Sequence, residues 1–119
     1  LTLTDVLPTG LQYVAGSASF VSAFGDTTAP PGFAVSAIGQ AVRFDFGTLV
    51  NPPLAGGDDR VIVTLQAVVR DVGANFLGVS LTNPVSATTN LGTVSDPTPP
   101  VVTIIEPRLQ IDKTAEVNL

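Results

Sequence analysis

The stretch DRVIVTLQAVVRD, Asp59 to Asp71, constrains the fold of this chain more than any other. Val61, Val63, Leu65, Ala67 and Val69 fall on one side at a spacing of two. Arg60, Ile62, Thr64, Gln66, Val68 and Arg70 fall on the other. Successive side chains of a strand point to opposite faces. This alternation, rich in β-branched residues, therefore predicts a strand with one face in a core. No Gly or Pro interrupts it and charges close both ends, so its expected place is the centre of a sandwich.

Shorter signals of the same kind flank it. Leu1 to Val6 alternates, and Pro8-Thr9-Gly10 forms a turn in which Pro fixes φ and Gly allows φ above zero. Leu11, Tyr13 and Ala15 alternate again, Gly16 breaks the run, and Ser17 to Phe24 resumes it. GDTTAPPG, Gly25 to Gly32, is a loop. Phe33 to Ile38 reads as a weak strand and Gly39-Gln40 as a hairpin turn. Val42, Phe44 and Phe46 form an apolar inner face, with Arg43 and Asp45 outside, until Gly47 ends the strand. Val50 to Asp59 is a long connection.

Beyond the central stretch, Val72 to Asn75 turns and Phe76 to Leu81 is a strand, which Val85 to Thr89 extends past Pro84 as an edge, a bulge or a break. Asn90 to Pro100 reads as loop or linker. Val101 to Ile105, β-branched throughout, reads as a buried strand. Leu109, Ile111 and Lys113 open a last strand. No window carries apolar residues at helical spacing without interruption. The expectation is an all-β, immunoglobulin-like antiparallel β-sandwich of about 7–8 short strands, with turn signals about every 8–12 residues.

Composition narrows the function classes. Lys plus Arg is 5 and Asp plus Glu is 10, a net charge of −5. Nucleic-acid binders need clustered cations, and anionic membrane surfaces attract basic segments, so neither partner is expected. No apolar run reaches the roughly 18 residues of a membrane span. Without Cys, disulfides and thiolate sites are excluded. Without His, imidazole–metal sites and His-based triads are excluded as well. No G-x-S-x-G is present, and Ser17, Ser19 and Ser22 have no His or Lys base nearby in sequence. The expectation is a non-catalytic domain with no cofactor. The abrupt start at a strand is read as an excerpt from a longer protein.

Two stretches resemble a known family. LTLTDVLPTGLQYVAGS, Leu1 to Ser17, resembles the strand–DxLPxGL–strand signature of conserved repeat modules in bacterial and archaeal surface proteins. Asp5, Leu7, Pro8, Gly10, Leu11, Tyr13 and Gly16-Ser17 carry the match. Gly47-Thr48-Leu49, the Gly57 to Val69 segment, and Leu81-Thr82-Asn83 followed by Val85 and Ala87 fit the same pattern in order. PRLQIDKTA, Pro107 to Ala115, resembles the opening of a following module. The resemblance implies an immunoglobulin-like repeat over residues 1–107, with residues 108–119 as the first strand of the next module or a strand completing a sheet in cis or in trans. It implies a cell-surface or secreted setting and neighbouring copies of the module as partners, in tandem or as a homo-oligomer or filament. Family modules open with the KTA-type strand and a GDxVTYT-like strand. Here those opening strands are absent before Asp5, and the KTA segment lies at the other end. Leu109, Ile111 and Lys113 are therefore the candidate assembly strand.

Fimbrial relatives of the module join a first-strand Lys to a last-strand Asn by an isopeptide bond assisted by a buried acid. By that resemblance Lys113, the sole Lys, would be the amine, and Asn83, or else Asn90, the acceptor. Glu106 or Asp112 would be the acid. The plainer reading of Lys113 is a solvated edge residue that blocks aggregation. Asp5, Asp26, Asp58, Asp59, Asp71 and Asp96 offer hard oxygen ligands of the kind Ca²⁺ takes. Asp at turns more often bonds local backbone, and no EF-hand run is present. Phe44 and Phe46 read as core, and Phe24 and Phe33 as staples over the proline loop. Tyr13 is the candidate for a sugar platform.

Overall fold

The computed structural model describes residues 1–24, 33–49, 60–106 and 113, and of residues 21–24 the backbone only. It has no helix among these residues. Its strands are β1 (Thr2–Val6), β2 (Leu11–Tyr13), β3 (Ser19–Phe24), β4 (Ala34–Ile38), β5 (Ala41–Asp45), β6 (Arg60–Thr64), β7 (Ala67–Val69), β8 (Ser80–Thr82), β9 (Val85–Thr89), β10 (Gly92–Ser95) and β11 (Val101–Thr103). The fold is an all-β antiparallel sandwich, with eleven short strands among the described residues rather than seven or eight.

One layer is a five-stranded sheet in the order β10-β9-β1-β5-β4. β1 lies at its centre, with Leu3 opposite Phe44 on one side and Ala87 on the other. Cross-strand neighbours share a face. The alternation of β1 and β5 therefore turns Leu3, Val42 and Phe44 inward, with Leu7 and Phe46 beyond the strand ends. Leu7, Leu11, Val42, Phe44 and Phe46 form the buried core. The facing layer supplies Tyr13, Phe20, Val61, Val63, Leu65 and Leu81. Aromatic rings fill the centre: Phe33 stacks on Phe46 at 5.5 Å, and Phe20 meets Phe46 edge-on at 6.0 Å. Phe33 thus packs into the core, and Phe44 and Phe46 are core residues as their alternation predicts.

The Asp59–Asp71 stretch is neither unbroken nor paired on both sides among the described residues. It is split into β6, which pairs with β3, and β7, which pairs with β2. The cause lies in the partner. Gly16 adopts φ +78°, and Val14 to Ala18 bulges out of the ladder. Across from it, Gln66 N–H donates to the Ser17 hydroxyl at 2.9 Å, and Val14 N–H donates to Gln66 O at 2.9 Å. A side chain thus replaces one rung of the ladder. Val61, Val63 and Leu65 face the core as expected, whereas Ala67 and Val69 are exposed.

The C-terminal half departs further from expectation. The strand expected over Phe76 to Leu81 starts only at Ser80, and Phe76 and Leu77 are exposed. Asn90 to Pro100 is not a linker: β10 lies within it and pairs with β9. β8–β9 and β10–β11 form one long hairpin arm with its turn at Asn90-Leu91. The arm bends at Pro84, where β9 joins the five-stranded sheet and β8 pairs with β11. Asp96 N–H to Val85 O at 3.0 Å and Asn83 N–H to Pro100 O at 2.9 Å close the ladder across the bend. Val101 and Val102 are exposed, contrary to the buried strand expected there, and only Ile104 of that run is buried.

Candidate functional site

The DVLPTGL segment folds into the most heavily hydrogen-bonded turn among the described residues. Pro8 O accepts from Leu11 N–H at 2.8 Å, and Gln40 O accepts from Leu7 N–H at 2.9 Å. The Gln40 amide returns the contact: Nε2 lies 2.8 Å from Pro8 O, 3.0 Å from Leu11 O and 3.2 Å from Leu7 O. Asn75 Nδ2 donates to Gly10 O and Arg70 O, each at 2.8 Å. Gly10 is buried against this arrangement. Gly10 does not take the positive φ expected of it; this turn position holds glycine because a Cβ there would overlap Asn75 Oδ1 and press on Leu81.

Asp5 sits just before that turn, opposite Val42 on β5 and Val85 on β9. Its place in L-T-L-T-D-V-L puts it on the inward side with Leu1, Leu3 and Leu7. It is 9% exposed, the single buried charged or polar residue of the described core. Burial pushes its carboxyl up from the ordinary value of 3.8, because the charged form loses hydration; a hydrogen bond from the Asn83 side chain offsets part of this. Asn83 lies at the Pro84 bend, where the hairpin arm passes from one layer to the other. Asp5 Oδ1, Asn75 Oδ1 and Asn83 Oδ1 are buried and have no hydrogen-bond partner.

The structure brings together only part of the residue set predicted from sequence. Asn83, the candidate acceptor, is half-buried beside Asp5, and the acid that meets it is Asp5 rather than Glu106. Glu106 and Lys113 are exposed, as is Asn90. Leu109, Ile111, Asp112, Asp26, Asp58 and Asp59 lie outside the described residues, as do the long connection and the proline loop. Asp96 accepts from Thr98 N–H at 2.8 Å and Asp45 from Gly47 N–H at 3.0 Å, the local backbone bonds expected of turn aspartates. Among the described residues no three acidic, Cys or His side chains gather as a metal site would require. Tyr13 packs against the core, and its hydroxyl accepts from Ala18 N–H at 3.4 Å. It therefore presents no open platform. Family models, curated proteins and solved structures yield no match to this chain.

Proposed function

We propose that the chain is a non-catalytic spacer module of a cell-surface or secreted protein, of the tandem-repeat kind its DxLPxGL segment resembles, with an immunoglobulin-like sandwich. One observation carries this reading: the two ends of the described fold lie at opposite poles. Leu1 shares a cleft with Thr48, Leu49 and the Asn90-Leu91 turn at one pole. At the other pole Ile104 N–H donates to Val79 O at 2.8 Å. Between these levels the β8–β9 arm runs from Thr88 to Val79, roughly 30 Å of strand at about 3.3 Å per residue. Tension applied to the ends loads β1 along its length against β5 and β9, so its rungs are sheared together rather than opened singly.

A second reading, assembly by strand exchange of the Leu109–Leu119 segment, draws support from the outer strands of the five-stranded sheet. β4 (AVSAI) and β10 (GTVS) carry no charge and no Pro, and Ile38 and Val94 are exposed. Natural edges usually carry such blocking residues. Molar mass by light scattering separates the two, on the whole chain and on a chain truncated after Pro107. The spacer reading expects two folded monomers. A dimer or polymer that truncation reduces to monomer supports assembly and overturns the spacer as the sole role.

A further inference from the structure

Asp5 and Asn83 pose a hydrogen-bonding problem that an ionised carboxylate does not solve. The Asn83 amide supplies N–H donors to Asp5 but leaves its own Oδ1, and Asp5 Oδ1, without a donor. Each is a buried acceptor left without the donor that water would supply in the unfolded chain. Among the described residues no neighbouring cation solves it either. On β5, Arg43 and Asp45 lie on the outer face, 3.7 Å from each other and exposed. β8 and β9 carry no titratable side chain. Tyr13 of β2 lies with the core, and Arg70 and Asp71 are exposed, the Arg70 guanidinium donating to Thr9 O at 3.3 Å. Burial and Asn83 are the two causes acting on the Asp5 carboxyl. A single proton satisfies both orphans: Asp5 Oδ1–H donates to Asn83 Oδ1 while the Asn83 amide donates back, closing an acid–amide ring.

We propose that Asp5 and Asn83 form a proton-binding site, in which the neutral carboxylic acid fastens β1 to the Pro84 bend of the hairpin arm and ionisation releases it. The site is placed to act on the bend, because the next backbone rung, Val6 N–H to Pro84 O at 3.1 Å, joins the same two segments. The sign follows from linkage. The folded state holds this proton more tightly than the unfolded chain, whose carboxyl keeps its ordinary value of 3.8. The stabilisation is therefore fully present below that value and is lost as pH rises through the folded one. An acidic medium thus tightens the bend, the reverse of the usual behaviour of a paired carboxylate.

NMR titration of the whole chain tests this, following the Asp5 side-chain carboxyl carbon and the Asn83 side-chain amide. The expected result is an Asp5 midpoint above 3.8, with the Asn83 resonances moving at the same midpoint. The Asp5→Asn variant keeps the shape and an amide–amide pair. Its melting temperature is expected to exceed that of the native chain by a margin that widens as pH rises. An Asp5 midpoint at or below 3.8, an Asn83 amide that ignores it, or a margin independent of pH would each overturn the proposal.

Discussion

Replacing Phe44 by alanine is expected to lower the unfolding free energy by about 3–5 kcal/mol, a large share of the roughly 5–15 kcal/mol that holds a domain folded. Phe44 is among the most deeply buried side chains, together with Val42 and Phe46. It stands opposite Leu3 on β1 and Val35 on β4, and its ring packs against Phe33 at 6.2 Å. Truncation leaves a cavity between two sheets whose strands are held by their ladders, so the walls relax only in part. Phe76 is the control. It is 60% exposed, and Phe76→Ala is expected to change stability by no more than about 0.5 kcal/mol. Urea unfolding of both variants, with equal slopes, gives the comparison. Similar losses for the two would mean that the core is not where the alternation of β5 places it.

Gln40→Ala is expected to cost about 2–4 kcal/mol, from roughly 1–3 kcal/mol for each part-buried acceptor left without its donor. The Gln40 amide nitrogen faces three carbonyl oxygens with only two N–H groups, so one bond is shared. Losing it leaves the backbone bond from Leu7 N–H to Gln40 O as the tie between the DVLPTGL turn and the β4–β5 hairpin, whose Gly39 at φ +61° positions Gln40. Gln40→Glu is expected to be worse than alanine at neutral pH, because a carboxylate facing carbonyl oxygens is repelled by them. Thermal unfolding of the two variants checks both the size and the order. A glutamate variant as stable as the native chain would show that the amide donors hold nothing.

Which parts of this molecule could be read in advance depended on how local their causes are. The inward faces of β1 and β5 follow from period-two alternation, and the β4–β5 hairpin from Gly39-Gln40. The division of the Asp59–Asp71 stretch was not legible in its own residues, because the break originates in Gly16 and Ser17 of its partner. β10 was hidden in a segment whose Asn, Gly, Asp and Pro content signals loop; its strand exists because β9 offers an edge. Val101 and Val102 are apolar and β-branched yet exposed, and nothing in their own run separates them from the buried Ile104. The candidate site was half legible. The alternation of L-T-L-T-D-V-L already turns Asp5 inward, whereas the arrival of Asn83 beside it depends on the bend at Pro84. No spacing in the sequence brings the two together.

Tension applied along the chain tests the spacer account most directly. The native chain has no cysteine, so a single introduced thiol defines each point of attachment for single-molecule pulling. Attachment through the N-terminal residue and Glu106→Cys loads the poles and shears β1 against β5 and β9. Attachment through the N-terminal residue and Asn90→Cys pulls two neighbours at one pole and peels β1 from β9 rung by rung. The account predicts one cooperative unfolding event in the first geometry, at a force several-fold higher than in the second. Equal forces in the two geometries, or a lower force between the poles, would contradict it.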